Sequence, residues 1–401
     1  MDLNRKSLWP TVAASLVAFT QLLGAANDTQ VRNLENRINA LEQRKGSNSI
    51  VNPSANPVVK DGANVFFQGD ALLWQANQSG LGYAIKNSGN VYYASNGHIE
   101  NPKGDWAWGF KLALGYNMAH DGWDTILQWT CFTDGSKHHT INAPANGTLF
   151  PSLVNYGVKL LDNASGPVTS TPSSITTGAS SASSHWTLNL NILDLALGRE
   201  FYVSKWLTLR PHAGLRTAWI HQKLNCVYNG ITLVDYNTQS LIVNQTIASH
   251  LRNNYWGMGL RAGFDSNFGL GSGFSIFNEL AASLLLGHFS VSQKEGNVTA
   301  PNSPNPLRLK VHDHLSAARA ILDMTLGLRY EHTFSEDRYG LMLAVAWEQH
   351  LFFNQNQAAR FYTPSYVSGP TTSFGNGSGA FSIPQGDLNT QGVTFTVRFD
   401  F

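Results

Sequence analysis

The 401-residue chain carries 27 Lys and Arg against 26 Asp and Glu, a formal net charge of +1, with 13% charged residues, 11% aromatics and 36 glycines. That balance, with no basic stripe, gives no electrostatic case for nucleic acid, and two cysteines cannot form a disulfide framework. Charge this sparse, against about 25% in an average soluble domain, with polarity supplied by Asn, Ser, Thr and Gly, suits hairpins, turns and a membrane-facing aromatic surface. Beyond the N-terminus no apolar run reaches the ~20 residues of a spanning helix, so insertion in a membrane would have to be by strands.

Arg5 and Lys6 precede an apolar stretch from Leu8 to Leu23, and Gly24, Ala25 and Ala26 supply small residues for cleavage, so residues 1–26 read as a removed export signal. A membrane anchor is the alternative, disfavoured by Pro10 and Gln21. Within 27–45, Val31, Leu34, Ile38 and Leu41 take a and d spacing, a short α-helical coiled-coil segment. Two heptads are marginal alone. They would join copies of the chain as a periplasmic homo-oligomer or pack on the chain's own rim. Residues 46–62, with Pro53 and Pro57, read as a linker, and 63–401 as the remaining domain.

From Val65 onward the pattern has a period of two. Trp106, Trp108, Phe110, Leu112, Leu114 and Tyr116 share one face, with Gly109, Lys111, Ala113 and Gly115 on the other. Trp123, Leu127, Trp129 and Cys131 oppose Asp124, Gln128 and Thr130. Leu209, Ala213 and Leu215 alternate with Arg210, His212 and Arg216; Met258, Leu260 and Phe264 alternate with Gly259, Arg261 and Gly263. Phe274, Ile276, Leu280 and Leu284 oppose Ser275, Glu279 and Ser283; Leu322, Met324, Leu326 and Leu328 oppose Arg319, Asp323 and Arg329; Leu343, Val345 and Trp347 oppose Ala344, Ala346 and Glu348. In 186–198 the apolar parity switches from Trp186, Leu188, Leu190 and Ile192 to Leu193, Leu195 and Leu197, which predicts a β-bulge or a change of burial side near Ile192. The last strand sets Val393, Phe395, Val397, Phe399 and Phe401 against Thr394, Thr396, Arg398 and Asp400, and its terminal Phe resembles the C-terminal signal read by the outer-membrane assembly machinery.

Short links near 118–122, 200–205, 265–272 and 333–338 alternate with long ones near 78–104, 133–184, 222–252, 287–315 and 354–387. Turns on one rim and loops on the other predict an all-β chain: a transmembrane antiparallel β-barrel of about ten strands, with both termini periplasmic. Hairpins inside the loops, such as one around Asn229 and Gly230, would raise the count to about fourteen.

The segment Gly109 to Asp124, ending His120-Asp121-Gly122-Trp123-Asp124, together with Leu72 to Ala76, Thr208 to Arg216 and Gly386 to Gly392, resembles the Legionella-type pore-forming outer-membrane proteins, shared with the MOMP-like porins of Chlamydia relatives. The resemblance implies an outer-membrane pore and carries no catalytic residues. It leaves ligand specificity open.

His120, Asp121 and Asp124 fall at an Asp-Gly turn rather than in a metal-ligand pattern. His138, His139, His312, Asp313 and His314 lie in long connections without a legible nucleophile and base, so no enzyme, cofactor or metal is expected. The Ser- and Thr-rich stretch 164–184 suits a surface loop that could serve adhesion. A bond between Cys131 and Cys226 stays open.

Inward faces would carry Lys111, Arg210, Arg216, Arg261, Arg319, Arg329 and Arg398 with Asp70, Asp124, Asp194, Glu279, Asp323 and Glu348, a mixed-sign lumen. The expected role is diffusion of small hydrophilic solutes and ions through a narrow, weakly selective passage in outer-membrane lipid. The alternative is a structural or adhesive barrel with little conductance. Phe395, Phe399 and Phe401 are the expected assembly signal.

Overall fold

In the computed structural model the described residues are 55, 59, 62–88, 97–118, 122–135, 138–145, 147–154, 173–175, 178–235, 240–298, 307–335, 338–358, 360–362, 380–382 and 384–401. The expected export signal and coiled-coil helix, and His120 and Asp121, lie outside them.

Each alternating stretch forms a strand. In chain order they are β1 Val65–Gln78, β2 Trp106–Asn117, β3 Trp123–Gly135, β4 Ser181–Arg199, β5 Leu207–Asp235, β6 Ser240–Gly271, β7 Phe274–Asn297, β8 Leu307–Phe334, β9 Tyr339–Asn356 and β10 Gly386–Asp400. Every strand pairs antiparallel with the next, and β10 pairs with β1, so ten strands close into a ring with no free edge. Phe401 completes the closure: its N–H donates to the Val65 carbonyl at 3.0 Å and its carbonyl accepts from the Val65 N–H at 3.1 Å. Closure satisfies the backbone in lipid, which an open sheet could not do.

Alternation settles which way side chains point. Leu260 is 70% exposed on the outside, whereas Arg216 on the inside is 3% exposed. The outward band of Leu, Val and Phe is bordered by Trp and Tyr, and Phe399 meets Tyr339, Phe334 and Phe401 at ring separations of 5.9–6.0 Å on the lower rim. An aromatic girdle of this kind marks a membrane interface.

Three expectations need correction. Within 222–252 and 287–315, residues 222–235, 240–252, 287–297 and 307–315 are strand rather than loop: β5 to β8 run 29, 32, 24 and 28 residues. A tilted spanning strand needs about 9–11 residues, so these four continue far past the membrane as an extended wall. The Asn229-Gly230 pair makes no hairpin. Gly230, at φ +71°, sits where β5 shifts register against β6, a bulge inside one continuous strand.

The third concerns β4. Its ladder with β3 runs in unbroken register from Thr187 to Arg199, and its ladder with β5 from Ser181 to Gly198, with no bulge at Ile192. Even-numbered residues face inward throughout. What changes is the surroundings. Below Ile192 the outside is lipid-facing, with Leu193, Leu195 and Leu197, and the inside is polar around Asp194; above it the outside is wet, with Thr187, Asn189 and Asn191, and the inside is apolar, with Trp186, Leu188 and Leu190. The apolar residues switch parity because the greasy side of the wall switches, while the register of the strand is unbroken.

Cys131 and Cys226 are not joined by a disulfide. They occupy opposite faces of the wall: Cys131 shares the outward parity of Trp129, and Cys226 the buried inward parity of Leu224.

Candidate functional site: the barrel interior

The interior has two storeys. In the lower one, alternation on neighbouring strands brings charged groups into one connected network. Arg216 on β5 donates Nε and Nη2 to the two carboxylate oxygens of Asp194 on β4 at 2.7 and 2.8 Å, a bidentate pair. Its Nη1 reaches Asp323 on β8 at 2.7 Å. Asp323 also meets Arg261 at 3.4 Å and His350 Nδ1 at 2.9 Å. His350 Nε2 lies 3.3 Å from Glu348, which pairs with Lys111 on β2.

A second arm starts at Arg210, which donates Nε to Asp124 at 2.8 Å and Nη1 to Asp265 at 2.7 Å. Gly198 makes this possible, since a Cβ there would stand 2.6 Å from the guanidinium carbon. Asp265 lies 3.5 Å from His212 Nδ1, and His212 Nε2 lies 3.1 Å from Arg261, joining the two arms. At the floor Arg398 binds Asp400 at 2.6 Å and stacks 3.6 Å from the Phe66 ring centre; Arg329 meets Glu331 at 3.5 Å. Gln68 donates to Asp70 at 3.1 Å. Between these groups is a polar cavity of about 160 Å³, lined among others by Glu279, Arg261, Thr325 and Thr396, with room for a few waters.

Burying such charges singly costs several kcal/mol each. Here most of them are paired with the opposite sign, Glu279 and Asp70 being without an ion pair among the described residues, so β2, β4, β5, β8 and β9 are tied together and neither sign sets a strong field.

The upper storey is built on an apolar cluster, with polar groups such as Gln222, Asn253, Gln293 and Glu295 buried beside it. Trp74, Phe132, Trp186, Leu190, Phe289 and Phe352 are all essentially fully buried. Trp74 packs 5.5 Å from Phe132 and Tyr255 4.5 Å from Phe289, centre to centre. The connection after β1 folds into the mouth: its strand Ala84–Asn87 pairs with Gly97–Glu100 and Thr148–Pro151, and Tyr228 Oη donates to the Tyr83 carbonyl at 2.6 Å. Trp74 divides the storeys. One side of it meets the plug; the other meets Lys111 Nζ at 5.1 Å and the His350 ring at 4.8 Å, while its Nε1 donates to Thr394 at 3.1 Å.

Among the charged residues expected on inward faces, Lys111, Asp124, Arg210, Arg216, Arg261, Glu279, Asp323, Arg329, Glu348 and Arg398 meet in the lower storey. Arg319 does not. It stands four residues above Asp323, ~13 Å along the strand, with its guanidinium 4.9 Å over the Phe289 ring and Nη1 donating to the Ala318 carbonyl. Sequence reasoning places His212 on the inward face without giving it a role, and does not name Asp265 or His350. Each shares the inward parity of a charged residue that was picked out, two or four positions away, which was the available signal.

The sequence model of the family described as Legionella pneumophila major outer membrane protein precursor matches residues 60–401. A search of curated protein sequences finds no match. Among solved structures the chain is similar to the Escherichia coli outer membrane protease OmpT, at 11% identity and a TM-score of 0.34, over 87% of this chain and 99% of that one. It is also similar to a Pseudomonas aeruginosa FadL homologue, at 8% identity and a TM-score of 0.25 over 84% and 89% of the two chains. The Pseudomonas putida toluene transporter TodX follows at 9% and 0.21, over 88% and 92%. Likenesses this distant carry no argument about function.

Proposed function

This chain belongs to the Legionella pneumophila major outer membrane protein family and resides in the bacterial outer membrane; we propose that it acts there as a pore-forming protein for small hydrophilic solutes and ions, through a narrow passage that rests closed. One observation carries the reading: the polar, charge-lined cavity lies in the storey whose outer wall is lipid-facing, while the large apolar cluster of the plug lies in the storey above, whose outer wall is wet. The membrane-crossing section is thus lined as a wet passage, and closure is assigned to the part outside the membrane. Hydrophobic constrictions of this kind gate by excluding water until side chains move. We read the chain as non-enzymatic, in keeping with its membership of an outer membrane protein family.

The depth of burial of the plug favours a second reading, a structural or adhesive barrel with little conductance, its upper wall presented to the surroundings. Liposome swelling separates the two. Proteoliposomes holding the full chain should swell in small sugars, and faster when Trp74 and Phe352 are both replaced by Ala. Folded protein that gives no swelling in either form supports the structural barrel.

A further inference from the structure

Above the lipid-facing band, the outer face of the wall formed by β5 to β8 carries one sign of charge. Register places side chains in rows across the four strands. Trp219, Trp256, His288 and Ser316 form the lowest row, at the girdle. Above it come His221, Asn254, Ser290 and His314, then Lys223, Arg252, Ser292 and His312, then Asn225, His250, Lys294 and Lys310.

The outward positions of this stretch hold Lys223, Arg252, Lys294 and Lys310 with five histidines, and no Asp or Glu. The carboxylates here, Glu295 and Asp313, take inward positions of the alternation. Among the described residues no acid pairs with the four cations. Lys223 stands directly opposite Arg252, and His250, Lys294 and Lys310 stand in line. Like charges directly opposite on a sheet destabilise it. The crowding also reaches His250, whose ring is held below its ordinary pKa by burial and by Arg252 and Lys294. Between the girdle and the cationic rows runs a groove of about 330 Å³, bounded by His221, Trp256, His288 and His314.

We propose that this face binds the phosphate groups of a phosphorylated glycolipid of the outer leaflet, such as lipid A, with Lys223, Arg252, Lys294 and Lys310 on the phosphates and the groove against the sugar above the girdle. Height and charge both fit. A phosphorylated headgroup sits just beyond the acyl region, where these rows begin, and its negative charge relieves a repulsion that the bare protein carries. The proposal does not depend on whether the lumen conducts.

The test uses the full refolded chain in neutral detergent, with the thermal midpoint followed by heat-modifiable mobility. Bisphosphorylated lipid A should raise the midpoint, and dephosphorylated lipid A or inorganic phosphate should not. The variant with Lys223→Gln, Arg252→Gln, Lys294→Gln and Lys310→Gln should match or exceed wild type without lipid and lose more than half of the lipid-induced rise. If that variant does not fold, Lys294→Gln with Lys310→Gln serves in its place. The idea is overturned if the variant keeps the full rise, if dephosphorylated lipid A is equally effective, or if inorganic phosphate alone reproduces the effect. A variant less stable than wild type in detergent alone likewise overturns it, because the like charges would then be stabilising the wall by themselves.

Discussion

Arg216 on β5 reaches across the barrel to Asp323 on β8 at 2.7 Å while holding Asp194 with its other two nitrogens. All three side chains are almost wholly buried. Removing one member of such a set leaves uncompensated charge, which costs ~3–5 kcal/mol. Arg216→Met should therefore lower the yield of folded barrel and its thermal midpoint, and Arg216→Glu should block folding. Combining Arg216→Met with Asp194→Leu should recover part of the loss, since Asp323 keeps Arg261 and His350 as partners. A single Arg216→Met of wild-type stability would mean that the network is not a structural tie.

Ion selectivity is then best probed at Glu279, which lines the cavity. Replacing Glu279 by Lys should move the reversal potential of any conducting form toward anions, by a modest amount because the wall remains mixed in sign. An unchanged reversal potential in a folded, conducting variant would place the ion path elsewhere.

The inversion along β4 predicts opposite outcomes for chemically similar changes. Leu190→Asn, inward in the plug, should cost ~2–5 kcal/mol as a cavity and an unsatisfied amide. Asn191→Leu, outward and wet, should be nearly neutral. Leu195→Arg, outward in the lipid-facing band, should cost ~2–4 kcal/mol if near the midplane. Equal sensitivity at residues 190 and 191 would contradict the two-storey description.

Alkaline pH should loosen the mouth. Burial of Tyr83, whose Oη meets His139 Nδ1 at 2.9 Å, pushes its phenol up to about 12 from an ordinary value near 10. The fold favours the neutral form, so its stabilisation is whole below pH ~10 and disappears as pH rises toward 12. Proteolytic nicking of the upper connections should therefore rise across that window in wild type and rise less in Tyr83→Phe. Identical pH profiles would show that Tyr83 does not govern the change.

Phe401 closes the ring through its backbone and touches Phe399. We read Phe395, Phe399 and Phe401 as the signal taken up by the assembly machinery. Deleting Phe401 should reduce heat-modifiable barrel in the outer membrane while leaving the properties of the surviving fraction unchanged. Undiminished assembly would count against the signal.

Period-two alternation was enough to read the strands, their faces and the ring of ten, because in a barrel each side chain faces either lipid or lumen. It failed where the two environments exchange sides. Trp186 and Leu195 are both apolar and both on β4, yet one fills the plug and the other meets lipid; nothing in residue type alone distinguishes a bulge from an inverted surrounding. Strand lengths were missed for the same reason, since Lys223, Arg252 and Lys294 are polar on an outer face and so imitate loop. The lower network was partly legible as inward charges. Its wiring was not, because the partners of Asp323 come from β5, β6 and β9 and depend on how the ring closes.

The central claim is a polar passage closed from above by a plug around Trp74. Single-channel recording in planar bilayers tests it most directly, with wild type and a Trp74→Ala, Phe352→Ala variant compared at equal folded fraction. The account predicts rare, small openings for wild type and frequent or larger steps for the variant, since removing two buried aromatics opens space beside Lys111 and His350. Silence from both proteins after verified insertion would contradict it.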